Sequence, residues 1–227
     1  MSQIQVELQE WMGSDRAIAN AAWTSTYNKD KREVRTDADV DKLVARLIQD
    51  GHSTPVESVV LRFWIRMPIF TDRQHMTHRI ASHNGLSGRY RTMPEDFYQL
   101  PDDAVKILEK AGLAGIVPNY ELHCRESNTL YREMVEDLKK AESFASISNE
   151  EFKRVRELVR GILPTSGMVE RVTVMNLRSF ANYQKLRNSS HAQPEIREVA
   201  REMLYRVKEA GVAPVAVGTL EALGWKI

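Results

Sequence analysis

One cysteine, Cys124, is all that the 227 residues contain. A lone thiol cannot build an intramolecular disulfide framework, and no cysteine pair is present for a zinc ribbon. No apolar run approaches the length of a membrane span. Residues 1–7 alternate polar and apolar side chains without an apolar h-region, so no signal peptide is expected there. A dominant charge is missing too: Lys+Arg total 32 and Asp+Glu 31, for a formal net charge of +1. No global field draws the chain to nucleic acid or membrane, so any polyanion site must be local. Internal repeats and low-complexity segments are absent. The expectation is a cytoplasmic globular protein, and 42% hydrophobic content suffices for a core built as one domain, or one domain with a small lobe, with 1–227 read as a single domain.

Several kinds of catalytic machinery are also missing. No G-x-G-x-x-G follows a strand and no P-loop lysine exists. Ser87 lies in Leu86-Ser87-Gly88 rather than in a nucleophile elbow, with no His-carboxylate relay behind it, so it suits hydrogen bonding to an anion better than attack. His75, His78 and His83 cluster, but no carboxylate stands at a metal-ligand spacing from them, and no metal is expected. Cys124, beside His123 within a helical pattern, reads as a small buried hydrophobe.

Hydrophobic periodicity sets the expected elements. Alternation at Ile4, Val6 and Leu8 predicts an opening strand, and 15–24 predicts a short helix. A polar loop is expected over 25–36, then a helix from Asp39 that stops at Gly51. Val59, Leu61, Phe63, Ile65 and Met67 alternate with Val60, Arg62, Trp64 and Arg66 in a strand that Pro68 ends. Residues 69–80 predict a helix, which would set Gln74 and His78 on one face and His75 and Arg79 on the next. A mobile loop beside the site is expected over 92–105, overlapping a helix over 102–111. Further helices are expected over 118–142 and 148–160, the latter opening on a Ser148/Glu151 capping box. A strand over 168–175, a helix over 176–186, a polar loop over 187–191 and a final long helix from Pro194 to Gly211 complete the reading. Strands and helices do not alternate regularly, which argues for α+β.

What the chain does carry is concentrated in 74–90. Two arginines, two serines, two amides and two glycines crowd a helix-to-loop junction there. Arg79, Arg89, Arg160, Arg178 and Arg187 each adjoin small or amide residues at element ends. Guanidinium forks bind phosphate bidentately, while the amides of Gln74, Asn176 and Asn182 can read the edge of a base. Any one of these arginines alone would pass for an ordinary surface residue. The repeated mixture in 74–90 and 176–191 argues for a phosphate and heterocycle site.

The motifs Gly51-His52-x-Thr54-Pro55-x-Glu57, Pro68-Ile69-Phe70-x-x-Arg73-Gln74 and His78-Arg79-Ile80-Ala81-Ser82-x-Asn84-x-x-Ser87-Gly88-Arg89-Tyr90 resemble the flavin-dependent thymidylate synthases, the thymidylate synthase-complementing-protein type. The resemblance resumes at Arg160-x-x-Leu163-Pro164, Asn176-x-Arg178-Ser179, Asn182, Leu186-Arg187 and Ser190-His191-Ala192-Gln193. It implies an α+β fold, a mixed sheet flanked by helices, in a homotetramer with active sites between subunits. It implies FAD as cofactor, NADPH as reductant and methylenetetrahydrofolate as one-carbon donor, with a methyl group installed on carbon 5 of a uracil nucleotide. By motif position, Ser25, His52, Thr54, His78, Arg79, Asn176, Arg178, Asn182 and His191 would contact flavin. Gln74, Ser87, Gly88, Arg89, Arg160 and Arg187 would hold the nucleotide, and Arg187 would polarise the uracil near ring nitrogen 3. Flavin would supply the redox chemistry while the protein orients and polarises, which needs no enzyme thiolate.

Two positions depart from the family pattern. Thr77 replaces the first arginine of Arg-His-Arg, and Gly85 replaces the usual glutamate. The first change removes a charge near nucleotide and flavin. The second removes a partner for the sugar hydroxyl and leaves space, which makes UMP a candidate substrate beside dUMP. Relatives in nucleoside-antibiotic pathways of the polyoxin type methylate uridylate, and this chain is a candidate for that branch. The alternatives are a strictly dUMP-specific synthase, a non-catalytic flavin or nucleotide-binding relative, and an arginine-rich RNA-binding module. Balanced charge and the lack of an aromatic-basic surface motif disfavour the last.

Overall fold

A computed structural model describes residues 3–226. A four-stranded sheet in the order β1-β2-β4-β3 is built from β1 (Gln5–Met12), β2 (Val60–Pro68), β3 (Ser82–Gly85) and β4 (Met168–Asn176). β1 runs antiparallel to β2 in a register pairing Gln5 with Arg66 and Met12 with Val60, with an irregularity between Leu8 and Glu10. Ile69 donates its N–H to Gly167 O, and Leu177 donates to Val59 O. Those bonds lie at opposite ends of β2 and β4 and make that pair antiparallel as well. Leu86 donates to Glu170 O beside the β3–β4 pair. The α+β class is therefore the one adopted. The sheet is antiparallel rather than mixed, because β2 and β3 run the same way but have β4 between them.

Ten helices are described: α1 (Asp15–Trp23), α2 (Lys29–Glu33), α3 (Asp37–Gln49), α4 (Ile69–His75), α5 (Asp102–Lys110), α6 (Ile116–Ser143), α7 (Asn149–Val159), α8 (Leu177–Arg187), α9 (Pro194–Glu209) and α10 (Pro214–Ala222). Short 3-10 turns occupy Thr54–Ser58 and Arg160–Ile162. The Ser148/Glu151 capping box expected before α7 is present in both directions, and Gly51 follows α3 with φ +73.

The chain forms two compact units. The larger comprises Ile4–Arg66, Arg73–Asn84 and the chain from Arg171 onward. Its core uses the inward face of β2, where Leu61, Phe63 and Ile65 are fully buried and Phe63 stacks on Phe180 of α8 at 6.0 Å between centroids. α9 lays Ile196, Val199, Ala200, Met203 and Val207 inward, and it packs on β1. α3 contacts both α1 and α10. The smaller unit takes in Met67–Asp72 and Gly85–Glu170. There α6 buries Cys124, Asn128, Tyr131 and Val135, a spacing of four, three and four that keeps one face inward. Asn128 Nδ2 donates to Glu95 O at 2.6 Å, and Tyr98 N donates to Ser166 O at 2.8 Å. These bonds tie residues 95–98, within the expected loop, to their surroundings.

Four expected elements differ from those found. α4 ends at His75, five residues before the predicted end of its helix at Ile80. Thr77 Oγ1 donates to Gln74 O at 2.7 Å, taking a carbonyl at the helix end, and the chain then enters β3. Gln74 and His78 therefore do not share a helix face, nor do His75 and Arg79. β3 lies where the sequence predicts a loop after the helix. α2 interrupts the expected 25–36 loop because Asn28 Oδ1 accepts from Lys31 N and caps it. α9 is not the last helix, since Pro214 opens α10 after Ala213 in a left-handed conformation.

Candidate active site

The short link between α4 and β3 forms one wall of a pocket of about 580 Å³ in the larger unit. Thr77, His78, Arg79, Ile80 and Ala81 contribute from the link; Arg178, Ser179, Asn182, Lys185, Leu186 and Arg187 come from α8, with Met175 and Trp225 completing the lining. Four of these side chains are cations and none is a carboxylate. The volume falls within the range of small-molecule sites, and the charge favours an anionic ligand.

Helical spacing explains the α8 wall. Arg178, Asn182 and Lys185 stand four and three residues apart, so one face of the helix presents them together. Asn176 caps this helix: its Oδ1 accepts from Ser179 N at 2.8 Å. Arg178 reaches Glu57 Oε1 at 2.7 Å, which anchors its guanidinium at the pocket's edge. Lys185 and Trp225 were absent from the expected site. The spacing of 178, 182 and 185 carried a signal for Lys185; nothing local marked Trp225.

Arg187, at the C-terminal end of α8, makes three contacts. Its Nε donates to His78 Nε2 at 2.9 Å, and its terminal nitrogen reaches Gln74 O at 3.2 Å and Thr77 Oγ1 at 2.9 Å. Because His78 Nε2 accepts, the imidazole is neutral and carries its proton on Nδ1. Burial, followed by the positive charge of Arg187 and the neighbouring His83, lowers the His78 pKa to about 4. Its ring lies tilted over Tyr183 at 4.5 Å between centroids.

Behind His78 is a buried polar group that sequence reasoning missed. His75 Nδ1 pairs with Tyr183 Oη at 2.9 Å, and His75 Nε2 pairs with Thr173 Oγ1 at 2.8 Å. Thr173 also meets His83 Nδ1 at 3.1 Å, and His83 Nε2 is 3.5 Å from His78 O. Burial first, then His83, His78, Arg171 and Arg187, hold the His75 pKa well below its ordinary value. Two of these histidines had been considered only as metal ligands. Among the described residues no group of three or more His, Cys, Asp or Glu side chains is arranged to hold a metal.

The remaining expected residues are distributed as follows. Gln74 contributes its carbonyl to Arg187, while its amide Nε2 donates to Gln193 Oε1 at 2.6 Å. Ser25 Oγ donates to Ala22 O at 2.9 Å. His52 and His191 are exposed, and Thr54 opens the 3-10 turn that carries Glu57. Ser25, His52, Thr54, Asn176 and His191 do not line the pocket described above. In the smaller unit, Ser87, Gly88, Arg89 and Arg160 form a second set. Ser87 Oγ accepts from Arg89 N at 3.3 Å, and Arg89 pairs with Glu157. A Cβ on Gly88 would come within 3.1 Å of Arg160 Cδ and Met93 Sδ, so glycine permits that close approach.

Comparison with known proteins agrees with the family resemblance of the motifs. The chain is 34% identical over 200 residues to the flavin-dependent thymidylate synthase of Thermotoga neapolitana, spanning 86% of this chain and 81% of that protein. It is 31% identical over 219 residues to the flavin-dependent thymidylate synthase of Treponema denticola, spanning 95% and 78%. Its fold is similar to that of PolB, a UMP/dUMP methylase from Streptomyces cacaoi, solved with 5-Br dUMP. The TM-score is 0.75 and the identity 25%, with coverage of 99% of this chain and 97% of that one. The same protein solved with 5-Br UMP gives a TM-score of 0.68. The model of the thymidylate synthase complementing protein family matches residues 7–215, and the chain belongs to that family.

Proposed function

We propose that this protein methylates carbon 5 of a uracil nucleotide, using methylenetetrahydrofolate as one-carbon donor, FAD as cofactor and NADPH as reductant. The observation that carries the reading is the pocket lined by four cations and no carboxylate, with Arg187 oriented on a neutral His78. Such a lining fits a polyanion bearing a polar heterocycle, as a flavin dinucleotide or a uridylate does. When bound, flavin supplies the electron transfer that no side chain here can perform. His78, Arg79, Arg178 and Asn182 hold it in the pocket, and Ser25, His52, Thr54, Asn176 and His191 complete its contacts. Gln74, Ser87, Gly88, Arg89 and Arg160 bind the nucleotide. Arg187 polarises the uracil, stabilising charge that develops on the ring.

The names of the relatives support the flavin chemistry, and the two PolB complexes support a uracil nucleotide as substrate. The family match runs through both compact units, which supports 1–227 as a single functional domain. We take the protein to work in the cytoplasm as a homotetramer with active sites between subunits. Thr77 and Gly85 lead us to a sugar pocket that admits both UMP and dUMP, as in the polyoxin type of nucleoside-antibiotic pathway.

The test is tritium release from carbon-5-labelled UMP and dUMP, run side by side with FAD, NADPH and methylenetetrahydrofolate. Release from both, with kcat/KM values within about tenfold, is the expected result. A preference for dUMP of several hundredfold would sink the relaxed-pocket reading. A protein that binds FAD and nucleotide yet releases no tritium would sink the catalytic one.

A further inference from the structure

Beneath the pocket, His75, Thr173 and Tyr183 are each fully buried, and His75 is bonded at both ring nitrogens. Buried polar chains of this kind have one consistent proton arrangement or a costly defect. The arrangement here follows from one group that can only accept. His78 O faces His83 Nε2 at 3.5 Å, so a neutral His83 carries its proton on Nε2 and leaves Nδ1 as an acceptor. Thr173 must then donate its single hydroxyl proton to His83 Nδ1. With that proton committed, Thr173 Oγ1 accepts from His75 Nε2–H. His75 Nδ1 is left to accept from the Tyr183 hydroxyl.

The hydrogen bonds among Tyr183, His75, Thr173 and His83 thus run in one direction and end on His78 O. Both ends of the series act on His78. His83 holds the His78 carbonyl, and Tyr183 lies under the His78 ring at 4.5 Å between centroids. The His78 ring in turn accepts from Arg187 Nε at 2.9 Å.

We propose that His75, Thr173 and His83 are positioning residues for Arg187: their one-way hydrogen-bond chain fixes His78 at its carbonyl and its ring and so sets the orientation of the guanidinium. This deepens the nucleotide-methylation reading and rests on it for its catalytic consequence. The chain lies on residues outside the motifs that carry the family resemblance, at positions 75, 83, 173 and 183. None of these four side chains lines the pocket. Their influence on the reaction therefore passes through His78 and Arg187.

The experiment is nitrogen-15 NMR of the full chain labelled at histidine and arginine, combined with turnover of the FAD-loaded enzyme. The wild-type protein should show His75 and His83 protonated at Nε2 and His78 at Nδ1. Thr173→Val keeps the side-chain shape and deletes only the hydroxyl at the centre of the chain. It should mix the His75 tautomers, weaken exchange protection of the Arg187 Nε–H, and lower kcat about tenfold with FAD content unchanged. Its effect should not multiply with that of Arg187→Lys, because both act on one group.

Opposite tautomers at His75 and His83 in the wild-type protein would overturn the proposal, and so would losses that multiply in the double variant. If Thr173→Val does not fold, Tyr183→Phe replaces it; unchanged Arg187 protection in that variant would overturn the proposal equally. A wild-type protein that turns over no nucleotide defeats the functional reading separately. In that case the tautomers and the Arg187 protection still decide the positioning chain.

Discussion

Arg187 and His78 meet through one oriented hydrogen bond, guanidinium Nε to imidazole Nε2 at 2.9 Å. The contact joins two basic side chains, so it survives only while the imidazole is neutral. A proton on Nε2 would remove the acceptor and set a cation against a cation.

Stability should therefore depend on pH in a defined direction. The His78 pKa is about 4 in the folded chain, against the ordinary 6.5 in an unfolded one. Between those values the unfolded state binds more protons than the folded state, so stability rises with pH. The contribution is present above pH 6.5 and is lost progressively as pH falls towards 4. His75 shifts in the same direction and adds to the effect. Urea midpoints measured from pH 7 down to 4.5 should fall steadily, and His78→Gln should flatten the curve. A midpoint that is level over this range in the wild-type protein would refute the assignment.

Arg187→Lys separates charge from geometry. Lysine keeps the positive charge but offers a point charge in place of a planar fork, so it cannot hold His78, Thr77 and Gln74 together while facing a ring. We expect kcat for nucleotide methylation to fall by about 10²–10³, the usual cost of losing one transition-state donor. The KM for nucleotide should move far less. Steady-state kinetics with both nucleotides checks this, and an enzyme that keeps more than half its kcat would exclude a polarising role for Arg187.

Thr77 is tied into the same group by donating to Gln74 O at 2.7 Å and accepting from Arg187 at 2.9 Å. Thr77→Val removes both bonds with little change in shape. The bond from the Arg187 cation is the stronger of the two, at about 1.5–3 kcal/mol, so the expected loss in kcat/KM is about tenfold or more. Thr77→Ser should recover most of it. A Val variant as active as wild type beside an impaired Ser variant would show that the methyl group, rather than the hydroxyl, is what matters at this position.

Much of this organisation was legible in the residues. Period-two alternation located β2, and Ser148 with Glu151 located the start of α7, because local patterning and local capping decide both. The motif arginines and amides pointed to the α8 wall, where Arg178 and Asn182 do share a face with Lys185. The structure at 74–85 was not legible, because Thr77 competes for a backbone carbonyl and strand pairing with β4 overrides the helical pattern. His75 could not be recognised as a network member from its neighbours either. Its partners, Thr173 and Tyr183, are 98 and 108 residues away.

α10 was equally hidden, since its sequence is apolar nearly all round and lacks the one-sided period of a surface helix. What holds its start is Asp15, whose carboxylate accepts from Val215 N at 3.0 Å and from Ala216 N at 2.9 Å. Those are two of the N–H groups that a helix leaves unpaired at its beginning, and the helix dipole favours a negative charge there. Burial opposes the charge and raises the Asp15 pKa, while the two backbone donors pull it down. Asp15→Ala orphans both donors and should cost about 1–3 kcal/mol of stability. Asp15→Asn keeps one good acceptor and should cost less. Thermal and urea unfolding rank the three proteins. Because Asp15 lies away from the Arg187 pocket, both variants should retain wild-type affinity for FAD at temperatures where they are folded. A loss of FAD affinity in proportion to the loss of stability would instead couple α10 to the pocket, through Trp225 just beyond its end.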